Sequence, residues 1–186
     1  MARQQRIACL LAEDFEDVEF RAPYDALVRA GYEVDIIGAE EGATLEGKRG
    51  DEEVQVDRSI DDASPEAYDA LFIPGGFSPD HLRADARFVR FTRDFHELRR
   101  PIATLCHGPQ LLLSADVLDE HRLTAWKTVQ DDLRHAGVDV VDEPVVRDGM
   151  LVTSRQPDDL GQFIPAMLEL LEGAAVQGRG AASEVT

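Results

Sequence analysis

The stretch Pro101-Ile102-Ala103-Thr104-Leu105-Cys106-His107-Gly108-Pro109 leaves the chain few ways to fold. Residues 101–105 are apolar or β-branched, the composition of a strand covered on both faces. Gly108 permits a tight turn, and Pro109 suits the first turn of a helix, where its missing N–H costs nothing. Gln110 to Leu118 then follows helical rather than alternating periodicity. A cysteine at that corner stands at the top of a sheet, near free backbone N–H groups and the positive end of a helix. Such a setting favours thiolate over thiol. The pattern is a nucleophile elbow with cysteine in the serine position, so Cys106 is the expected reactive atom.

The flanking sequence supplies a sheet for that corner. Residues 6–12 read as a buried strand, followed by acids and a helix over Glu16–Ala30 that Gly31 closes. Pro23 is expected to bend this helix or mark its true start. Glu33–Gly38 reads as a second strand, residues 39–65 as a β-hairpin excursion, and Tyr68–Pro74 as a strand running into Gly75-Gly76. Residues 80–99 have helical patterning with an aromatic core stripe. Trp126 opens a helix up to Gly137. Strands at 138–141, 144–146 and 150–153 follow, with a turn at Asp148-Gly149, then a helix over 156–171 and a mobile polar tail from Gly173 to Thr186. Strands alternating with helices imply an α/β, doubly wound, mainly parallel sheet covered on both faces. Residues 1–172 are read as one domain and 173–186 as its tail. In such folds ligands bind at strand carboxyl ends, and the loops after residues 12, 73 and 105 share one crevice there.

Composition excludes several functions. The 186 residues carry 37 acids against 19 bases, a net charge of −18 spread along the chain, which repels nucleic acid and anionic membranes. No segment reads as a signal peptide or membrane span, and a cytoplasmic location is expected. Cys9, inside an apolar run, is expected to be an inert core residue, so no disulfide framework is foreseen. No Cys/His pattern has metal-ligand spacing, and neither a metal nor a cofactor is expected.

Around Cys106, His107 reads either as a general base or as a ring facing an interface or a structural acid. Glu16 and Glu19, at the entrance of the first helix, are both candidates to hydrogen-bond the sulfur. Gly75 and Gly76, with the N–H groups after Cys106, are candidate oxyanion donors.

Four segments carry a family resemblance: Glu13-Asp14-Phe15-Glu16-Asp17-Val18-Glu19-Phe20, Ile73-Pro74-Gly75-Gly76, Ala103 to Pro109, and Asp148-Gly149-Met150-Leu151-Val152-Thr153-Ser154-Arg155. Together they resemble the ThiJ/PfpI superfamily, most closely its PfpI (intracellular protease I) branch, over residues 5–172. The resemblance implies a flavodoxin-like fold related to class I glutamine amidotransferase domains. It implies Cys106 as nucleophile and a first-helix glutamate on its sulfur, best matched by Glu19 with Glu16 nearby. It also implies homo-oligomers, dimers or trimeric to hexameric rings, in which His107 pairs with an acid of a neighbouring subunit. The matching position is Asp80, where ring-forming members carry Glu, and Trp126 stands in the pocket where relatives often carry Tyr. The implied activity is a stress-response cysteine hydrolase acting on peptides or on small carbonyl compounds and their adducts. The alternative is a redox sensor or holdase chaperone with an oxidisable Cys106 and no turnover. A flavin site is disfavoured, because the acidic loop after residue 12 makes a poor phosphate cradle.

Overall fold

The computed structural model describes residues 4–183. Seven strands form the central sheet in the order β10-β11-β7-β6-β1-β2-β5. These are β1 (Arg6–Leu10), β2 (Glu33–Gly38), β5 (Arg58–Ser59), β6 (Ala70–Ile73), β7 (Ile102–Leu105), β10 (Val145–Asp148) and β11 (Leu151–Ser154). All neighbours pair parallel except β10 with β11, which form a hairpin at one edge.

Strand periodicity explains why there are two cores. On β1, Ile7 and Cys9 enter one buried cluster while Ala8 and Leu10 enter the other. The first cluster packs against α1 (Asp17–Arg29) and α6 (Leu160–Ser183) through Phe20, Leu27, Phe163 and Met167. The second packs against α3 (Ala86–Glu97), α4 (Pro109–Ser114) and α5 (Lys127–His135) through Phe88, Phe95, Leu111 and Leu133. Cys9 is wholly buried, as its apolar surroundings require, and neither cysteine is paired.

The excursion after β2 is a hairpin, β3 (Thr44–Glu46) with β4 (Glu53–Gln55). The helical pattern over 80–99 divides into α2 (Ser78–Arg83) and α3, because the Asp85 side chain accepts the Arg87 N–H and starts a new helix. Pro23 lies inside α1 without interrupting it. Short strands β8 (Arg122–Leu123) and β9 (Asp139–Val140) pair beside the main sheet.

One expectation needs correction. The last helix does not end near Leu171; it runs on to Ser183, since a single glycine at Gly173 costs only about 1 kcal/mol and the alanines after it favour helix. Residues 184–186 of the expected tail lie outside the described residues. Gly108 is not the left-handed residue of the turn. It has φ −51°, and the positive angle, φ 58°, belongs to Cys106 itself.

Gly108 is required for space instead. A Cβ there would overlap Thr104 Oγ1 and lie 2.9 Å from Leu105 O and 3.0 Å from Ile73 O. The backbone oxygens cannot retreat without shifting β6 and β7, so Gly108→Ala is expected to destabilise the fold by about 1–3 kcal/mol. Urea unfolding checks this; an unchanged midpoint would mean that the corner has slack.

Candidate active site

β6 lies between β1 and β7, so the loops that leave these three strands at their carboxyl ends meet. Phe15 ties them together. It bridges Gly76 on one side and Gly47 of the β3–β4 turn on the other, and its carbonyl accepts the Lys48 N–H at 2.9 Å. The Glu16 N–H donates to Gly75 O at 3.1 Å, and the Phe77 N–H to Asp14 O at 2.9 Å. Gly76, at φ 79°, has no room for a Cβ between the backbone atoms of residues 14–16.

Cys106 sits where β7 stops. Its N–H donates to Ser154 O at 3.0 Å, and its carbonyl accepts the Trp126 N–H at 2.9 Å. Backbone N–H groups of Gly76 and His107 act on the sulfur, and His107 Nδ1 lies 3.2 Å from it. Glu19, from the first turn of α1, is the carboxyl at the sulfur; it is wholly buried, and neither of its oxygens has a hydrogen-bond partner of good geometry. A Cβ on Gly75 would overlap Glu19 Oε2 and come within 2.6 Å of Cys106 Cβ. Glycine is therefore needed at residue 75 for the carboxyl and the thiol to meet.

Glu16 does not reach the sulfur. It is also buried, but its carboxylate pairs with Lys48 Nζ at 2.5 Å and Arg49 Nε at 2.9 Å. Backbone conformation separates the two acids: Glu16 is the extended N-cap residue, outside the helix, and pairs with the hairpin, while Glu19 in the first helical turn reaches the sulfur. The turn that brings these cations is itself anchored by Asp17. That carboxylate accepts the N–H groups of Arg49, Asp51 and Glu52 at 2.9–3.0 Å. Gly47 packs on it so closely that a Cβ would lie 2.5 Å from Asp17 Cγ.

His107 lies between two aromatic rings, Trp126 at 6.3 Å and 24°, and Phe77 at 6.5 Å and 49° between centroids. Asp80 is exposed on α2 and acts on His107 only through space, within its own chain. Lys48, Arg49 and Phe77 escape a sequence reading. Phe77 is 59% exposed beside the site, and Lys48 Nζ lies 5.8 Å from its ring centroid. The signal available for the two cations was their place on a glycine-flanked turn, Gly47-Lys48-Arg49-Gly50, with nothing to say what the turn covers.

The electrostatics differ from the expected low-pKa thiolate. Cys106 is only 7% exposed, and burial, followed by the charge of Glu19, pushes its thiol up; the two backbone N–H groups pull the other way. Glu19 is pushed up to about 8, first by burial and then by the negative charge of Glu16. Burial and then Lys48 lower His107, with Asp80 opposing them. At neutral pH the proton of the Glu19–Cys106 pair therefore favours Glu19 far more than it favours an ordinary carboxylate. When Glu19 holds it, its repulsion of the sulfur vanishes and its O–H becomes a donor to the thiolate. Among the described residues no group of three or more His, Cys, Asp or Glu is arranged to hold a metal ion. No helix among them is long and apolar enough to cross a membrane.

Glu19→Gln keeps a donor and removes the charge, so it is expected to lower the pH midpoint of Cys106 alkylation by iodoacetamide by about one unit. Glu19→Leu, with neither charge nor donor, should lower it less. Identical midpoints in wild type and Glu19→Gln would remove Glu19 from control of the sulfur.

Comparison with known proteins finds a family and related structures. Residues 5–170 match the model of the DJ-1/PfpI family. The chain is 49% identical over 168 residues to protein/nucleic acid deglycase 2 of Escherichia coli, covering 90% of this chain and 98% of that protein. It is likewise 49% identical over 169 residues to general stress protein 18 of Bacillus subtilis, with the same coverage. Among solved structures, a two-domain protein from Anabaena variabilis with DJ-1/ThiJ/PfpI-like and ferritin-like domains superposes with TM-score 0.88 at 37% identity, over 91% of this chain and 48% of that one. Drosophila melanogaster DJ-1beta gives TM-score 0.82 at 25% identity, over 97% and 98% of the two chains. With a family model spanning the sheet, the elbow and the glutamate that meets it, the chain belongs to the DJ-1/PfpI family.

Proposed function

We propose that this chain is a cysteine-dependent deglycase, releasing amines from adducts formed by small dicarbonyl compounds. The observation that carries the reading is the Cys106 sulfur, held between a buried, readily protonated Glu19, two backbone N–H groups and His107 Nδ1 at 3.2 Å. A nucleophile only 7% exposed suits a small carbonyl group better than an extended peptide. The Escherichia coli relative is named a protein/nucleic acid deglycase, which supports the deglycase reading.

The chemistry follows from these groups. The thiolate attacks the carbinol carbon that bears the amine; a C–S bond forms, the C–N bond breaks, and the amine leaves with the proton of Glu19. The resulting hemithioacetal loses its carbon-bound proton to a base, Glu19 or His107, and regains a proton on the neighbouring carbon. That transfer turns it into a thioester of a hydroxy acid. Water then cleaves the thioester, one proton returning to Glu19 and the thiolate being regenerated. The N–H groups of Gly76 and His107 offset negative charge as it moves from sulfur to oxygen.

Cys106→Ser is expected to lower release of free amine and hydroxy acid from methylglyoxal-treated acetyl-lysine by about a thousandfold or more, while Cys9→Ser leaves it unchanged. Turnover that survives in Cys106→Ser would end this assignment.

One observation favours a second reading. The unpartnered oxygens of Glu19 stand ready to hydrogen-bond an oxidised sulfur, which makes Cys106 a candidate peroxide sensor. Mass spectrometry of the peroxide-treated chain is then expected to find sulfinic acid at Cys106 and none at Cys9, with no adduct turnover. Oxidation spread evenly over the two cysteines would defeat the sensor reading.

A further inference from the structure

At the opposite end of the sheet from Cys106, where β7 and β11 begin, a cavity of about 760 Å³ opens over Ile102, Leu112, Leu118 and Leu151. His96, in the last turn of α3, and His121, just before β8, meet in its wall with their Nε2 atoms 3.0 Å apart. The rings are nearly perpendicular, at 84°, with centroids 5.3 Å apart. Two imidazoles in contact at these nitrogens reach that separation only when the nitrogens face one another head-on. On its other side His121 turns Nδ1 to Asp148 Oδ2 at 3.3 Å, and the same oxygen accepts the Arg122 N–H at 2.9 Å.

Three groups in series fix the tautomers. Asp148 can only accept, so neutral His121 carries its proton on Nδ1 and presents a lone pair at Nε2. His96 must then donate its Nε2–H to that lone pair. The head-on contact is a hydrogen-bond geometry and not a chelating one, since a cation shared by two imidazoles sits off the line between them.

We propose that Asp148, His121 and His96 form a proton-operated latch that ties α3 to the β8 and β10 segments at neutral pH and holds the apolar floor of the cavity in place. One added proton goes to the outer nitrogen of His96 and leaves both hydrogen bonds intact. A second must go to Nε2 of His121, where two N–H donors and two positive charges then face each other across the contact, and the latch parts.

The surrounding charges set where this happens. Arg93, Arg99 and Arg100, from α3 and the segment after it, oppose proton uptake, as does Arg122 on β8. Glu97 on α3, and Asp116, Asp119 and Glu120 on the loop before β8, favour it. Burial, then His121 and Arg99, hold His96 below its ordinary value of 6.5, with Glu97 opposing. A lowered histidine favours the folded state above its unfolded value, and that contribution is lost as pH falls. Opening belongs to acid conditions, and it exposes the apolar floor of the cavity. The latch stands independently of the chemistry proposed for Cys106.

Ring nitrogen spectra of the full chain labelled with ¹⁵N-histidine test it directly. At neutral pH His121 is expected as the Nδ1–H tautomer and His96 as the Nε2–H tautomer. On acidification, wild type should gain binding of the apolar dye anilinonaphthalene sulfonate in a single transition. His96→Gln still donates to His121 but takes up no proton, so it should lose that transition while keeping its neutral-pH melting temperature and Cys106 alkylation rate. An Nε2–H tautomer for neutral His121, or the same dye transition in His96→Gln, would overturn the latch. So would zinc ion perturbing both rings at neutral pH, which would mark a cation site instead. The wild-type tautomers decide the matter even if His96→Gln fails to fold.

Discussion

Cys106 points its side chain into the crevice because its own backbone is left-handed, at φ 58°, a conformation that costs a non-glycine residue about 1–2 kcal/mol. The strand ends there, the chain reverses, and every neighbour is arranged to hold the reversal. Ser154 and Trp126 bond its backbone from two sides. Gly108 lets the following helix close against Thr104, and Gly75 leaves the space in which Glu19 and the thiol meet. Removing either absence of a side chain would act on the sulfur without touching it. The strain is localised at the one residue with chemistry to perform, which is where strain persists when the surroundings over-determine it.

The second requirement is electrical. Three acids, Glu16, Asp17 and Glu19, are buried at the start of α1, and only Glu16 pairs with cations. Lys48 and Arg49 pair with Glu16, while burial and then the negative charge of Glu16 push Glu19 up. The hairpin that delivers those cations is held by Asp17, the residue between the two acids and nearest to Glu16 in the chain. Three acids in a four-residue span thus have three roles: one charged and paired, one capping a distant turn, one protonated at the nucleophile. An isolated first turn of helix would make all three equivalent, and tertiary contacts make them different.

Much of this was legible in the amino-acid sequence because it depends on local pattern. Alternation in β1, the strand-to-helix switch at Cys106 and the glycine pair after β6 each follow from a few consecutive residues, and together they place the crevice. Local pattern alone did not separate Glu19 from Glu16, since both lie at the start of the helix; the family resemblance favoured Glu19, and the packing of the hairpin gives the physical reason. Lys48 and Arg49 were hidden for the same reason: their meaning comes from a turn that closes more than thirty residues away from Glu16 in the chain. The thiol's raised pKa was missed because helix-terminus reasoning counts favourable dipoles and omits the cost of burial, which is the larger effect here. The helix beyond Leu171 was not legible because the small and polar residues from Gly173 onward have the composition of a tail.

The two cysteines of the chain sit in opposite circumstances. Burial raises both thiols, but Cys9 is sealed in the middle of β1, whereas Cys106 lies at a crevice with backbone donors aimed at it. The native protein thus carries two built-in reporters that need no engineered label. One responds to the condition of the crevice; the other stays silent until the sheet itself comes apart. Comparing the chemical modification of the two in one sample separates damage at the site from loss of the fold, inside a cell extract as readily as in a purified solution.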